Sequence, residues 1–233
     1  SEVSLHIHIY EFLSPDVTHA ILRAIQRGVD VTILLEEGIL DSNSVGESQK
    51  GHANVLHNAG ANVLWMVDPI GMSSPYTYIH SKIAVRDDTG VWISSGNIKD
   101  SSLPPEGDSG NREWSLFIES PIIAAKFSDW MSWDENTDQR YTKPHGSWAL
   151  PPNGWVLPSP SGTVSVDPSL THSDASPGFR VLPVICPDNC LAKVIDSINE
   201  SEETLYISAQ YLDVDWYWGC LLYTSDAADE SRG

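Results

Sequence analysis

The stretch Val3-Ser4-Leu5-His6-Ile7-His8-Ile9-Tyr10, followed by the helical run from Ser14 to Gly28 and by Val29-Asp30-Val31-Thr32-Ile33-Leu34-Leu35, decides the fold class. Residues 3–10 alternate apolar and polar, the period of a strand with one buried face. His6 and His8 fall on its other face and read as partly solvated strand residues, since no third ligand is indicated nearby. Ser14-Pro15-Asp16 resembles an N-cap with Pro in the first turn, and Val17, Ala20, Ile21, Ala24 and Ile25 recur at helical spacing until Gly28. Val29 to Leu35 is short, β-branched and apolar, as expected of a strand buried on both faces.

Working outward, the polar residues 41–51 read as a loop, a helix is expected near 52–59 ending at Gly60, and Asn62 to Val67 reads as a strand. Strand, helix, strand, helix, strand implies a layered α/β sheet. Ile79 to Arg86 and Val91 to Ser95 are expected to form a hairpin through Asp87-Asp88-Thr89-Gly90. A strand at Glu113 to Glu119 and a helix from Pro121 to about Trp133 complete a domain spanning 1–142.

Residues 143–178 are rich in Pro, Gly and Ser and carry little periodicity, so they read as a linker or a long irregular excursion. Periodicity resumes at 179, with a strand (Phe179 to Val184), a helix (about Asn189 to Asn199) and a strand (Thr204 to Tyr211). Ser201-Glu202-Glu203-Thr204-Leu205-Tyr206-Ile207 matches Ser1-Glu2-Val3-Ser4-Leu5-His6-Ile7 at four of seven positions. Residues 179–218 are therefore read as the truncated start of a second copy of the domain. Residues 219–233 break the pattern and resemble a translated adapter, a non-native tail. The chain opens on Ser1 with no leader pattern, and its natural start is expected to lie further upstream.

With 32 acidic against 13 basic side chains and a formal charge of -19, the chain repels polyanions, which makes nucleic acid a less favoured partner. No apolar run is long enough for a membrane-spanning helix. Cys186, Cys190 and Cys220 are too few for a disulfide scaffold and lack the companions of a zinc site. Cys186 and Cys190 read as a free thiol pair near a helix start or as a bridge. His52 and His57, five apart, share no helical face and are expected at the surface. Trp130, Trp133, Trp148 and Trp155 read as cover for the core.

Chemistry concentrates at His80-Ser81-Lys82. Alternate residues on a strand share a face, so imidazole and ammonium can address one phosphate. Asp87 lies at the strand end, and the returning strand brings Ser95 and Asn97, whose hydroxyl and amide can donate to phosphate oxygens.

His80, Lys82 and Asp87, with Ser95 and Asn97, resemble the HKD signature of the phospholipase D superfamily, and in particular its cardiolipin synthase-like, two-domain phosphodiesterases. Arg27-Gly28-Val29 before a strand, Ala59-Gly60-Ala61 before another, and Asn111-Arg112-Glu113 after the motif extend the likeness over residues 3–133. Ser94 departs from the pattern, standing where the family usually has Gly.

The resemblance implies a layered α-β-α domain with a mixed sheet and a phosphodiesterase or phosphatidyltransferase acting on phospholipid. His80 would be the nucleophile that forms a phosphohistidine. Lys82 and Asn97 would clamp phosphate, Ser95 would be an auxiliary donor, and Glu113 would orient the imidazole. Asp87 would belong to the catalytic set in a structural or charge-tuning capacity. No cofactor or metal is implied. The partners implied are a phospholipid or other phosphodiester and a second HKD domain, either in cis near position 280 or from a second copy of the chain. The alternatives are a nuclease of the same superfamily and a non-catalytic binding module that keeps the fold.

Overall fold

The computed structural model describes residues 2–39, 43–67, 76–105, 108–138, 140–146, 149–161, 181–186 and 188–208. The chain divides into two compact units, Ser1–Ala175 and Ser176–Gly233.

The first unit is built on β1 (Ser4–Ile9), α1 (Pro15–Gln26), β2 (Asp30–Glu36), α2 (Asn43–Asn58), β3 (Asn62–Met66), β4 (Lys82–Arg86), β5 (Gly90–Ser94), β6 (Ser115–Glu119), α3 (Pro121–Asp134) and β7 (Thr142–Pro144). The strands form one seven-stranded sheet in the order β6-β5-β4-β1-β2-β3-β7. β1, β2 and β3 run parallel, while β4, β5, β6 and β7 each pair antiparallel with a neighbour. This is the mixed α/β sheet expected from the alternation of elements.

Register explains the layers. Directly paired residues share a face, so Ile7, paired with Ile33 and Ala84, stands with Ile9, Leu35, Val63 and Trp65 on one side. There they pack against Ile21 and Ala24 of α1 and Ala53 and Leu56 of α2. His6 pairs with Val85, which pairs with Val91, and these define the opposite side. Val85 and Val91 pack there against Ala124, Phe127 and Met131 of α3. Helices on both faces bury a sheet that is apolar in its centre, the α-β-α layering.

Local signals acted as expected at several ends. Ser14 caps α1 by accepting from the N–H of Val17, Pro15 opens the first turn, and Gly28 leaves the helix at φ 89°, which a residue without Cβ adopts at no steric cost. Ser120 caps α3 in the same way, accepting from Ile123 N–H.

Other expectations are corrected. α2 begins at Asn43, so most of the expected 41–51 loop is helix. Its polar residues are used inside the fold: buried Gln49 accepts from the Phe12 N–H at 2.7 Å and donates to the Glu36 carbonyl at 2.8 Å. That side chain ties the ends of β1 and β2 together and interrupts the apolar periodicity that marks a helix. β4 begins at Lys82, so Ile79 to Ser81 approach the sheet without joining it.

The described part of the 143–178 segment does not hang free of the first unit. β7 pairs with β3, Ala149 is fully buried in the main core, and the Trp155 indole packs on His52 and over Gly51 of α2. Ser161 then bonds the Asp16 carboxylate at the start of α1 through both its N–H and its hydroxyl. The excursion is irregular but built into the domain. Trp130 and Trp133 are substantially exposed rather than core cover, and Trp148 lies outside the described residues.

His8 and His52 are also corrected. Both are buried, His8 joined to Glu135 at the end of α3 and His52 to the Thr18 hydroxyl at 2.8 Å. Burial pushes the His52 imidazole down to about 4, with His19 adding to the effect, so it is neutral at ordinary pH.

The second unit contains α4 (Cys190–Asn199), with Asn189 folding back to accept from the Ile185 N–H and to donate to the Pro183 carbonyl. Cys186 and Cys190 are joined in a disulfide with Cα atoms 5.0 Å apart, rather than standing as free thiols. The expected strands at Phe179 to Val184 and Thr204 to Tyr211 are not strands where described, over 181–184 and 204–208. An extended segment becomes a strand only by pairing with another backbone, and none of the described residues supplies that partner. Residues 219–233 and Cys220 lie outside the described residues.

Candidate active site

One end of the sheet gathers the chemistry. Because β4 and β6 run opposite to β1 and β5, the C-terminal ends of β1 and β5 adjoin the starts of β4 and β6. Tyr10 and Glu11 leave β1, His80 and Lys82 enter β4, Ser95 to Asn97 leave β5, and Glu113 leads into β6. The chain passes from β1 to β2 on one side and places β4 on the other. That switch in strand order opens a crevice beyond the strand ends.

The Lys82 side chain is buried, its ammonium 3.3 Å from His80 Nδ1 and donating to the His80 carbonyl at 2.8 Å. It also lies 5.5 Å from the centroid of the Tyr10 ring, which is itself 4.8 Å from the imidazole. Burial pulls the Lys82 ammonium down to about 8 despite the opposing charges of Glu11 and Glu113. Burial and the neighbouring ammonium lower His80 as well, which favours a neutral imidazole.

The segment before His80 is anchored by Glu36 at the end of β2. Its buried carboxylate accepts from the Ile79 N–H and the Gly38 N–H, both at 2.8 Å. Burial raises this carboxyl above the ordinary glutamate range, against the pull of those two donors.

Ser95 donates to Glu113 at 2.6 Å and accepts from the Trp114 N–H at 3.0 Å, and Ser102 donates to the other Glu113 oxygen at 3.0 Å. These hydroxyls, Ser95 foremost, hold Glu113 below the usual carboxylate range. Gly96 leaves no room for a side chain: a Cβ there would stand 2.8 Å from Glu113 Cγ and Cδ and 2.9 Å from Ser102 Cβ. The Asn97 amide donates to Glu11 at 2.7 Å, and Lys99 pairs with the same Glu11 oxygen at 2.5 Å.

Among the sequence candidates, His80, Lys82, Ser95, Asn97 and Glu113 meet at this end of the sheet. Glu113 does not hold the imidazole: among the described residues its carboxylate is taken by serine hydroxyls, and His80 faces Lys82 instead. Asp87 does not join the site. It follows the far end of β4, about 16 Å away at 3.3 Å per strand residue, where its carboxylate accepts from the N–H groups of Val3 at 2.8 Å and Ser4 at 3.0 Å.

Sequence reasoning missed Tyr10, Glu11, Glu36, Lys99 and Ser102. Glu11 and Glu36 had a usable signal, since each is a carboxylate at the C-terminal end of a parallel strand, where ligands of such sheets bind. Among the described residues no group of three or more His, Cys, Asp and Glu is arranged to hold a metal ion, and no helix is long and apolar enough to cross a membrane.

A mixed seven-stranded sheet with helices on both faces is the α/β fold of the phospholipase D-like class. Residues 1–135 match the family model described as cardiolipin synthase, PLD-like domain, and the chain belongs to that family. Among solved structures it is similar to Nuc, a phospholipase D family member from Salmonella typhimurium, with 18% identity over 63% of this chain and 84% of that one and a TM-score of 0.47. It is also similar to NucT from Helicobacter pylori, with 21% identity over 56% of this chain and 77% of that one and a TM-score of 0.45. No curated protein matches the chain.

Proposed function

We propose that this chain supplies one half of an active site that cleaves or transfers phospholipid phosphodiesters through a phosphohistidine. The observation that carries this reading is the buried Lys82 ammonium against the His80 imidazole, with the Asn97 amide and Ser95 hydroxyl at the same strand ends. An ammonium and an amide can hold the equatorial oxygens of a phosphate while a neutral imidazole attacks phosphorus in line.

The geometry sets one requirement on that attack. For Nε2 to be the nucleophile, Nδ1 must carry the ring proton and give it to an acceptor, and an ammonium is a donor only. The ring must therefore exchange Lys82 for a carboxylate as phosphate draws the ammonium toward itself. The family resemblance gives that part to Glu113, whose charge acts on Lys82 and which would have to leave the Ser95 and Ser102 hydroxyls to take it.

The general acid on the leaving-group side comes from a second domain of the same kind, whether later in the same polypeptide or in a second copy. The family's description as cardiolipin synthase-like supports a phospholipid substrate, and the net charge of -19 weighs against nucleic acid.

The test is an assay of paired domains, as homodimer or longer chain, against phosphatidylglycerol, a bis-aryl phosphodiester and single-stranded DNA, with His80→Asn as control. Turnover of the lipid that is lost in His80→Asn is expected. Cleavage of DNA alone would replace the substrate class, and turnover by a demonstrably monomeric preparation would refute the half-site reading.

A further inference from the structure

Glu11 is a buried carboxylate that the proposed chemistry leaves without a role. One of its oxygens receives both the Asn97 amide, at 2.7 Å, and the Lys99 ammonium, at 2.5 Å. The backbone fixes this meeting: Ile98 N–H donates to the Glu11 carbonyl at 3.1 Å, and Leu13 N–H donates to the Ile98 carbonyl at 2.7 Å. Residues 97 and 99 flank Ile98 and so both lie beside Glu11.

The Asn97 carbonyl oxygen is buried and has no hydrogen-bond partner among the described residues. Glu11 is thus what orients that amide. Lys99 is in turn close enough to Lys82 to disfavour its charge, while Glu11 favours it. Unlike Lys82, the Lys99 side chain is 28% exposed, so its ammonium can leave Glu11 for an anion in the crevice without crossing the core.

We propose that Lys99 is a further anion-binding residue of this site, and that Glu11 is the positioning residue that tethers Lys99 and Asn97 and holds the site's affinity for phosphate down. The inference rests on the phosphodiester-site reading and extends it. Lys82 feels the charges of Lys99, Glu11 and Glu113, Lys99 is paired with Glu11, and the His80 imidazole lies against Lys82. An arriving phosphate draws Lys99 off Glu11, and Glu11 draws it back as product leaves. Affinity for the released phosphoryl product is thereby limited, which favours turnover over product retention.

Binding of inorganic phosphate to the full chain by calorimetry tests this without requiring turnover. Lys82→Met is expected to abolish binding. Lys99→Met is expected to weaken it about fivefold or more, and Glu11→Gln to tighten it by a similar factor, as expected when one charge a few ångströms away is removed in a partly buried site.

A purely structural Glu11 would give weaker or unchanged binding in Glu11→Gln. That result, or wild-type affinity in Lys99→Met, overturns the inference while the Lys82 dependence keeps the site reading intact. Absence of phosphate binding in the wild-type chain overturns both. Circular dichroism confirms folding of each variant, and if Glu11→Gln does not fold, the direction of the Lys99→Met change decides alone.

Discussion

His80 Nδ1 lies 3.3 Å from the ammonium of Lys82, and that ammonium is buried beneath the Tyr10 ring. A cation held where water is scarce is costly unless an anion meets it. At Lys82 burial outweighs the opposing charges of Glu11 and Glu113, so the ammonium's contribution to stability is unfavourable at neutral pH.

The pH dependence follows from that burial. With the Lys82 ammonium pulled down to about 8 from 10.5, the folded chain binds fewer protons than the unfolded chain between those values, and stability rises with pH across that window. Anion binding runs the other way. Sulfate, whose charge is constant over the range, should bind well below pH 8 and progressively less above it, as read by calorimetry from pH 6.5 to 9.5. Lys82→Met should bind no sulfate yet unfold at an equal or higher temperature at pH 7, by about 1 kcal/mol, because a buried charge is replaced by an apolar chain of similar length. A lower unfolding temperature would show the ammonium to be a net structural asset.

Asp87 is expected to matter for stability and not for phosphate. It accepts from the N–H groups of Val3 and Ser4, where β1 begins, and sits at φ 54°, in the left-handed region. Asn tolerates that backbone and keeps one acceptor, whereas Ala does neither. Asp87→Asn should cost about 1 kcal/mol and Asp87→Ala about 2–3 kcal/mol in urea unfolding, with phosphate affinity unchanged in both. Lost affinity in a stable Asp87→Asn protein would return this residue to the site.

Glu135, directly after α3, joins His6 at 3.2 Å and His8 at 3.1 Å across the sheet face. Burial raises this carboxyl, but the hydrogen bonds and charges of the two imidazoles outweigh burial and hold it at about 2. The His6 imidazole is raised, first by its bond to Glu135. The Glu135 contribution is therefore present above pH 4.5 and lost as pH falls toward 2. The His6 contribution is present below 6.5 and lost as pH rises through its higher folded value. Glu135→Gln should cost about 1–3 kcal/mol at pH 6 and clearly less at pH 9. A cost independent of pH in thermal unfolding would mean that the contact is mere packing.

Gly51 is held to glycine by the excursion lying over α2. A Cβ there would stand 2.2 Å from the Trp155 indole. Ala would favour the helix by about 1 kcal/mol, yet overpacking against the indole costs about 1–3 kcal/mol. Gly51→Ala should therefore be neutral to destabilising in the native chain and stabilising in a Trp155→Ala background. Equal effects in both backgrounds, in a double-mutant cycle by urea unfolding, would show that residues 149–161 do not pack as described.

Much of the fold and part of the site were legible in the sequence, for reasons visible in particular residues. Alternation at residues 3–10, the cap at Ser14 and the apolar run at 29–35 report backbone preferences set within a few residues, so β1, α1 and β2 could be placed within a residue or two. His80 and Lys82 were legible because two residues of spacing bring them together with little help from the rest of the chain.

What only tertiary structure decided depends on partners far apart in sequence. Gln49 hid a helix because its amide serves Phe12 and Glu36. His8 is buried because Glu135 arrives 127 residues later. Asp87 leaves the site because β4, which starts at the site with Lys82, ends at the opposite end of the strands. Glu11 enters it because Ile98 pairs beside it. Periodicity encodes which face of an element is apolar, but the partner of a buried polar group is fixed by strand register and by the path of the chain, and no local pattern carries that information.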